Sequence, residues 1–563
     1  MRQNLFDAIV VGSGITGGWA AKELTEKGLR TLVLERGRNV EHGAGYVTEH
    51  LPDHAFPFRG LGDRRREQRE QPIQRTGGSY HEASARFYVD DRLNPYTHDV
   101  DKPFSWIRGH QLGGRSLTWY RQCYRWSDLD FTANSREGIA VDWPIRYADI
   151  APWYDHVERF VGISGKAEGL AQLPDGIFLP PMPMNVAELR VADAIAKSFP
   201  DRRLTASRTA TLTRDHNGRS ACHFCGPCER GCSTGSYFSS LSATLPAARA
   251  TGRLTIRTDA IVHSIIYDPR RRRVAGVRVI DAHTRATSEY RTRVVFLCAS
   301  ALESVRLLLN SATPEFGTGL ANSSGTLGTH IMDHHWGGGA SATFPDLPTE
   351  PGYSNGFRPC GVIVPRFRNL RAADQPFLRG YHLDGGGSRV GWKRGIAQVG
   401  LGADLKSVLK EMGPWTFWLS GNGECLPYAD NCVRLNREVK DAWGVPVLHF
   451  AVSYRENETR MRADMAVCAG EMLEAAGAKD IKVFNEPDVP GLVIHEMGGA
   501  RMGRDPATSV LNAYNQAHDL PNLFVTDGAC MTSGGNQNPS ITYMALTARA
   551  CDHAVNELKR NNL

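Results

Sequence analysis

Long apolar runs are absent from the 563-residue sequence. No stretch of about 18 consecutive apolar residues occurs, so no transmembrane segment is expected. Residues 1–4 lead directly into a strand-like segment, without the apolar region of a signal peptide. We therefore expect no export signal in the chain itself and, on that ground, a cytoplasmic location. Internal repeats and low-complexity linkers are absent as well.

A large excess of charge of one sign is also missing. The sequence has 66 Lys and Arg residues against 60 Asp and Glu residues, a formal net charge of +6. So small an excess in a chain of this length does not indicate a nucleic-acid-binding protein. The basic run at 270–273 lies between two β-branched segments, so it predicts an exposed hairpin turn rather than a nucleic-acid contact.

The cysteines do not form a disulfide framework. Of the 12 cysteines, four cluster within residues 222–232 and the others are scattered, unlike the regular spacing of a disulfide-rich secreted domain. This usage fits a reducing compartment and one cofactor or metal site.

Length and composition indicate a large soluble globular protein. A chain of 563 residues is too long for one hydrophobic core, so two domains are expected. Hydrophobic residues at 41% and charged residues at 22% are typical of soluble globular proteins. The 57 glycines indicate many tight turns and close backbone approaches, as in nucleotide-binding enzymes.

A dinucleotide-binding pattern opens the chain. Residues 6–12 predict a short buried strand, and residues 19–28 predict a helix that closes at Gly28. Between them lies Gly12-Ser13-Gly14-Ile15-Thr16-Gly17, which has the spacing G-x-G-x-x-G. The context of strand, glycine loop and helix makes this pattern far more specific than the glycines alone.

Three glycines and one acid have separate roles in this pattern. Gly12 is expected to make a tight turn, Gly14 to let the backbone approach a pyrophosphate, and Gly17 to allow close helix–strand packing. Glu35 follows a second predicted strand, about 20 residues after Gly14, and can accept hydrogen bonds from the ribose hydroxyls. The acid disfavours a 2′-phosphate, so NADP is not expected, while FAD and NAD remain open at this point.

Three C-terminal segments extend the pattern. They are residues 495–503 (His-Glu-Met-Gly-Gly-Ala-Arg-Met-Gly), 522–529 and 538–542, the last leading into an apolar helical stretch. Together with the N-terminal glycines, they resemble the glucose–methanol–choline (GMC) oxidoreductase family, above all bacterial glucoside 3-dehydrogenases and pyranose oxidases. The resemblance covers most of the chain, is weakest over 340–420, and implies FAD rather than NAD.

The resemblance implies a catalytic pair, His495 and Asn538. An imidazole with a pKa near neutrality suits removal of an alcohol proton. Asn538 can hydrogen-bond the substrate oxygen without competing for that proton, and the flavin takes the hydride. His330, His334 and His335 form a further cluster whose spacing also suits a metal, although the resemblance places it between the flavin and substrate regions.

The resemblance also implies further FAD contacts. In related proteins the glycine-rich stretch at 108–119 meets the isoalloxazine and pyrophosphate, and the matching residues here include Gly113, Gly114 and Ser116. Thr118 stands where pyranose oxidases carry the histidine that bonds covalently to FAD, so non-covalent FAD is expected. The remaining contacts implied by the resemblance are Val262 near the adenine, Asp527, Gly528 and Asn538.

The clustered cysteines have the spacing C-x2-C-x2-C-x3-C at Cys222, Cys225, Cys228 and Cys232. This spacing is typical of an iron–sulfur cluster, although Ser233 replaces the usual proline. Structural zinc and free or disulfide-bonded cysteines remain alternatives. Because a cluster takes electrons one at a time, it would favour a dehydrogenase with a cytochrome or quinone acceptor over an oxidase.

The expected fold class is α/β, with a Rossmann-type FAD-binding domain interleaved with an α+β substrate domain built on an antiparallel sheet. The resemblance implies an FAD-binding domain over 1–45, 95–130, 220–330 and 490–563, and a substrate domain over 140–215 and 331–489.

The function that the resemblance implies is oxidation of a secondary ring alcohol of a sugar or glycoside, with C3 as the favoured position. A glycoside or pyranose oxidase that uses O2 is the alternative. An NAD-dependent dehydrogenase and a non-catalytic flavin protein are weaker rivals. Related dehydrogenases reach the periplasm with a small signal-bearing subunit, so co-export with such a partner stays open.

Overall fold

The computed structural model describes residues 5–60, 62–226, 228–348, 359–371, 374–389, 402–410 and 412–563. Within these residues the strands are β1 (Leu5–Val11), β2 (Thr31–Leu34), β3 (Thr97–His98), β4 (Ile163–Ser164), β5 (Phe178–Leu179), β6 (Thr205–Ala206), β7 (Leu254–Arg257), β8 (Ala260–Asp268), β9 (Arg273–Asp281), β10 (Thr287–Leu297), β11 (Gly338–Phe344), β12 (Val362–Val364), β13 (Tyr381–Arg389), β14 (Trp415–Gly423), β15 (Cys432–Lys440), β16 (Pro446–Ala451), β17 (Lys479–Asn485) and β18 (Leu523–Val525).

The α-helices of the same residues are α1 (Ile15–Glu26), α2 (Arg64–Glu70), α3 (Asp128–Phe131), α4 (Ala133–Glu137), α5 (Tyr147–Val161), α6 (Val186–Ser198), α7 (Leu245–Ala250), α8 (Ala301–Asn310), α9 (Gly402–Lys410), α10 (Glu456–Ala475) and α11 (Ser540–Lys559). A π-helical turn at Ser240–Thr244 leads into α7. No helix of the described ranges is long and apolar enough to cross a bilayer.

A seven-stranded sheet carries the nucleotide-binding pattern. Its order is β7–β2–β1–β10–β9–β8, with β18 also paired to β10. The pairs β2–β7, β1–β2, β1–β10 and β10–β18 are parallel, whereas β8, β9 and β10 form antiparallel hairpins. The hairpin β8–β9 turns at residues 269–272, so the basic run lies in an exposed turn, as the sequence predicted.

Both faces of β2, of β18 and of residues 8–11 of β1 are buried, which explains the continuous apolar sequences of these parallel segments. In β1, Ala8 and Val10 pack with residues of α1 and α11, whereas Ile9 and Val11 pack with residues of α8. Since successive side chains of a strand point to opposite faces, one short apolar run serves two cores.

The second large sheet is antiparallel and has six strands in the order β17–β11–β14–β13–β12–β6. In β13, Tyr381 and Leu383 pack in the core that includes apolar residues of α6 and α10. His382 and Asp384 point to the opposite face, and Asn422 of β14 lies opposite His382. The sheet therefore has one apolar face under helices and one polar face.

Two smaller sheets complete the strands: β15–β16–β3, and the parallel pair β4–β5. The predicted fold class is confirmed: a Rossmann-type sheet is combined with an antiparallel sheet on which helices pack. The exact domain boundaries stay a prediction.

Candidate active site

One large cavity, of about 250 Å³, joins the glycine loop to the C-terminal motifs. Its lining comes from widely separated parts of the chain: residues 11–16, 34–36, 88, 106–110, 114–116, 118–122, 260–263, 298–301, 303, 306–307, 310, 445, 493–496, 527–528, 538–540 and 543. Of the residues predicted to bind FAD, Gly12, Gly14, Glu35, Gly114, Ser116, Thr118, Val262, Asp527, Gly528 and Asn538 are in this lining.

The glycine loop shows why side chains are excluded at two of its three glycines. Gly12 has a φ of +95°, and a Cβ there would lie 2.3 Å from the carbonyl oxygen of Cys298. A Cβ on Gly17 would lie 2.0 Å from the carbonyl oxygen of Gly12. Gly17 therefore packs α1 against β1 and is not part of the cavity wall.

Gly14 is open on its cavity side. A Cβ at Gly14 would meet no atom within 4 Å, and the residue is the N-cap of α1, where no side chain caps the free N–H groups. An unfilled space at a helix N-terminus fits a pyrophosphate, because the N–H groups and the helix dipole both favour an anion.

Glu35 is buried and holds the cavity walls together near the glycine loop. One of its oxygens accepts hydrogen bonds from the backbone N–H and the hydroxyl of Ser13, and the other accepts one from Gly37 N, at 2.8 Å. Burial raises the pKa of Glu35. A carboxylate has about four acceptor positions, so these three bonds leave about one position for a ribose hydroxyl.

The second glycine-rich segment packs directly on the first. Gly113 N donates to Ser13 Oγ at 2.9 Å, and a Cβ on Gly114 would lie 3.2 Å from Gly14 Cα. Gly113 itself is absent from the cavity lining and acts by holding this contact. Ser116 and Thr118 follow in the wall.

Asp527 and Gly528 close the cavity from the C-terminal side. Asp527 accepts hydrogen bonds from Ser304 Oγ at 2.5 Å and from Ala529 N at 3.1 Å. Burial raises the pKa of Asp527 to about 6. A Cβ on Gly528 would lie 2.3 Å from the carbonyl oxygen of Glu496, so the segment that carries Glu496 packs tightly on this turn.

The backbone of His495 is fixed by a buried carboxylate. Asp333 accepts hydrogen bonds from His495 N at 2.8 Å and from Gly491 N at 2.9 Å, and burial raises the pKa of Asp333. Ile494, the preceding residue, has a φ of 68°. A β-branched residue in this region is strained, and such strain persists only where the surroundings enforce it.

The ring of His495 lines the cavity and contacts a second histidine. Its Nδ1 lies 2.9 Å from Nδ1 of His334, and the two rings meet edge to face at a centroid distance of 4.9 Å. Burial, with smaller contributions from His334 and Arg115, lowers the pKa of His495 well below its usual value. His495 is therefore a neutral imidazole over the physiological pH range.

Asn538 lines the same cavity as His495. Its Oδ1 atom is buried without a hydrogen-bond partner among the described residues, as is the hydroxyl of Tyr543, another lining residue. Buried polar atoms normally have partners, so both groups fit a bound cofactor or substrate.

Sequence reasoning missed the residues that support His495. Asp333 and His334 lie in a segment that the resemblance placed between the flavin and substrate regions, with a metal as the alternative, but without a role for either residue. Arg115 forms an ion pair with Glu496 at 2.7 Å. The spacing of His330, His334 and His335 contains no signal for a contact with His495. Pairing of Met332 with Met497, through reciprocal 2.9 Å hydrogen bonds, creates that contact in the fold.

Gln122 links the cavity to the polar face of the antiparallel sheet. It lines the cavity, and its Nε2 donates to Asp384 at 2.8 Å. Asn422 Nδ2 donates to the same carboxylate at 2.7 Å, and His382 Nε2 lies 3.3 Å from it. These residues were also absent from the predicted site, because only the strand register brings them together.

The four clustered cysteines surround a separate, small cavity of about 20 Å³. None of the four forms a disulfide bond. Among the residues that the structure describes, no group of three or more His, Cys, Asp or Glu side chains is arranged to hold a metal ion. The predicted ligand set Cys222, Cys225, Cys228 and Cys232 therefore has no support from the geometry.

Comparison with protein families identifies the family of the chain. A GMC oxidoreductase N-terminal family model matches residues 6–335, and the C-terminal GMC oxidoreductase model matches residues 427–547. The chain belongs to the GMC oxidoreductase family. It is an FAD-dependent oxidoreductase of CH–OH groups, so the predicted family, enzyme class and main cofactor are confirmed.

Individual relatives extend over nearly the whole chain. A 2-methyl-1,2-propanediol dehydrogenase of Mycolicibacterium austroafricanum is 30% identical, over 97% of this chain and 94% of that protein. The fructose dehydrogenase large subunit of Gluconobacter japonicus is 25% identical, over 98% of both chains. Pyridoxine 4-oxidase of Mesorbium loti shares the fold, with a TM-score of 0.60 and 17% identity over 97% of this GMC oxidoreductase and 98% of that chain.

Proposed function

We propose that this GMC oxidoreductase oxidises a secondary hydroxyl of a sugar, glycoside or related polyol, with C3 of a glycoside as the favoured position. One observation carries the proposal. His495 and Asn538 line the same cavity as the glycine loop, so a base, an amide and a nucleotide-binding loop serve one enclosed space.

FAD fits the residues of this cavity. Gly14 and the N-terminus of α1 would hold the pyrophosphate, Glu35 the ribose, and residues 114–118 the ring system. When bound, FAD supplies the hydride acceptor. Thr118 has no imidazole through which a covalent link could form, which supports non-covalent binding.

His495 and Asn538 divide the work on the alcohol. Removal of the hydroxyl proton by His495 leaves electron density on oxygen, which promotes loss of hydride from the same carbon. Asn538 is suited to orient that oxygen through its side-chain amide. The proton moves from the alcohol to the imidazole, the hydride leaves the carbon, and a carbonyl product results.

Polar side chains beside the cavity support a substrate with several hydroxyls. Gln122, Asp384, Asn422 and His382 form one hydrogen-bonded group on the polar face of the sheet. Groups of this kind select hydroxyl-bearing ligands, because an analogue that lacks the hydroxyl leaves buried polar atoms unpaired. The relatives named for a diol and for fructose support the same substrate class.

A substrate panel tests this proposal. Purified protein with bound flavin is mixed, without oxygen, with a methyl glucoside, fructose, 1,2-propanediol and 1-propanol. The proposal expects the sugars and glycosides to bleach the flavin fastest, and product analysis to show a keto group on the ring. Faster bleaching by 1-propanol than by any polyol would contradict it.

The electron acceptor is a second part of the proposal. The C-x2-C-x2-C-x3-C spacing supports an iron–sulfur cluster, which, if bound, would supply one-electron transfer towards a cytochrome or quinone. The cysteines named above would hold such a cluster. Iron and acid-labile sulfide analysis of anaerobically purified protein tests this directly: stoichiometric iron and sulfide support it, and iron-free active protein overturns it.

A partner subunit completes the proposal. The fructose dehydrogenase relative is named as a large subunit, which supports a small partner for this chain and co-export to the periplasm. If no partner is present, a cytoplasmic location is proposed. Co-purification from the native host, followed by cell fractionation, distinguishes these two cases.

A further inference from the structure

We propose that His334 is a positioning residue that fixes the tautomer of His495, so that Nε2 of His495 is the atom that removes the substrate proton. The inference rests on the proposed role of His495 as base. It adds which nitrogen acts and which residue determines that choice.

Nε2 of His334, the ring nitrogen that does not face His495, contacts two backbone carbonyl groups. Its Nε2 lies 2.9 Å from the carbonyl oxygen of Gly535 and 3.3 Å from that of Gly534. Carbonyl oxygens can only accept hydrogen bonds. Nε2 of His334 must therefore carry a hydrogen.

The charge of His334 follows from its burial. Its side chain is fully buried, and burial, with a smaller contribution from His382, lowers its pKa to about 4. At neutral pH the ring therefore carries one hydrogen, which is the one on Nε2. Nδ1 of His334 is left as a hydrogen-bond acceptor.

The hydrogen bond between the two histidines determines the tautomer of His495. The two Nδ1 atoms are 2.9 Å apart, a normal hydrogen-bond distance. Because Nδ1 of His334 accepts, Nδ1 of His495 must donate. The neutral His495 ring then has its lone pair on Nε2, as a base needs, since the partner of one ring nitrogen decides the state of the other.

The groups around His495 keep this arrangement neutral. His334, Arg115 and His382 are the ionisable groups that influence it, and all of them disfavour a second proton on the ring. The charge of Arg115 is matched by Glu496. Nδ1 of His495 thus faces a neutral acceptor instead of a carboxylate, and the base stays unprotonated at mildly acidic pH.

Hydrogen bonds to its backbone and to the neighbouring segment fix the position of His334. Tyr454 donates a hydrogen bond from its hydroxyl to the carbonyl oxygen of His334, at 2.7 Å. Two residues earlier, Met332 pairs with Met497. The two histidines are therefore carried by segments that are tied to each other.

Two substitutions separate this role from simple packing. In His334→Asn, the amide oxygen can lie near the position of Nδ1 and still accept from His495. In His334→Gln, the amide reaches the position of Nε2 and leaves Nδ1 of His495 without its acceptor. His335→Gln is the matched control, because both ring nitrogens of His335 are buried without partners among the described residues.

The expected result is that kcat of His334→Asn stays within about threefold of wild type. His334→Gln should lose about tenfold in kcat with little change in KM, as one lost hydrogen bond would cause. His335→Gln should resemble wild type. Equal kcat values for the Asn and Gln variants, at equal flavin content, would overturn the proposal.

A direct spectroscopic measurement keeps the proposal falsifiable if a variant does not fold. Nitrogen-15 NMR of histidine-labelled wild-type holoenzyme, with His495 assigned by its loss in His495→Gln, reports which ring nitrogen carries the hydrogen. A protonated Nδ1 and a free Nε2 are expected, and the reverse tautomer overturns the proposal. An active His495→Gln enzyme would instead refute the proposed base itself.

Discussion

The two ends of the cavity are built in different ways. The end near the glycine loop is proposed to bind the nucleotide and is called the nucleotide end. There, Gly12, Gly14 and Gly17 lie within one strand–loop–helix unit and act through local backbone geometry. The end near His495 is proposed to carry out catalysis and is called the catalytic end. There, His334 and His495 are in contact although they are 161 residues apart in sequence. A local unit can be recognised as a pattern in the sequence, whereas a contact between distant loops exists only after the sheets have formed.

The two ends of the cavity also differ in the charged and titratable groups that they contain. The nucleotide end combines a helix N-terminus with the carboxyl group of Glu35, which suits a phosphorylated, ribose-containing ligand. The catalytic end holds two buried histidines whose pKa values are lowered by burial. We infer that the first end determines cofactor affinity and the second determines rate, and that each can be impaired separately.

The largest effect should come from His495→Ala. Removal of the base is expected to lower kcat by about 10²–10⁴-fold, the usual contribution of a positioned general base. FAD content should not change, because the nucleotide end keeps all its contacts. Steady-state kinetics with a flavin absorbance spectrum of the same sample checks both statements.

His553→Ala is the matched control for that variant. His553 stacks on Tyr514 with a ring-centroid distance of 4.0 Å and is not in the cavity lining, so its kcat should resemble wild type. Loss of FAD together with activity in His495→Ala would show that the two ends are not separable.

Glu35→Gln should produce the opposite pattern. The change keeps the shape of the side chain but removes a charged acceptor of hydrogen bonds from Ser13 and Gly37. We expect the Kd for FAD to rise by about 10–100-fold, in the range of one lost charge-assisted hydrogen bond. Fluorescence titration of apoprotein with FAD measures it, and kcat at saturating FAD should stay close to wild type.

Asp384→Asn should have a smaller, substrate-dependent effect. The substitution weakens the acceptor that Gln122 and Asn422 share. KM for a sugar or glycoside is expected to rise by about three- to tenfold, since each such hydrogen bond contributes little in net terms. KM for a monohydric alcohol should not change, and an equal rise for both substrates would remove Asp384 from substrate selection.

The smallest effect should be that of mild acid on the wild-type enzyme. As the proposed base, His495 must be unprotonated, and burial lowers its pKa well below the usual value of 6.5, so it stays neutral in mild acid. The value of kcat/KM should therefore stay level as the pH falls through about 6.5 and drop only at more acidic pH. A pH–rate profile with a half-maximal acid limb at or above 6.5 would contradict the buried environment of His495.

The sequence was sufficient for the parts of the site that depend on local pattern. The G-x-G-x-x-G unit predicted the Rossmann sheet around β1, and resemblance to the GMC family implied His495 and Asn538. Glu35 lies in the cavity lining, but its role as a ribose ligand stays a prediction, and its bonds to Ser13 and Gly37 were not foreseen.

The rest depends on pairing between distant strands and loops. Asp384 and Asn422 meet because β13 and β14 adopt one register, and a shift of one residue would turn both away from the cavity side. His334 reaches His495 through the pairing of Met332 with Met497. The cysteine spacing shows the reverse case, since a clear local pattern predicted a metal site that the described geometry does not support.

The central claim is that one cavity unites an FAD site with an alcohol-oxidising base. Anaerobic flavin reduction in a single turnover tests this claim most directly. Wild-type protein is mixed with a sugar or glycoside that carries either hydrogen or deuterium at the oxidised carbon. The account predicts bleaching of the flavin band, slower with deuterium, and no comparable bleaching in His495→Ala. A flavin band that no alcohol bleaches, or that bleaches equally fast without His495, would contradict it.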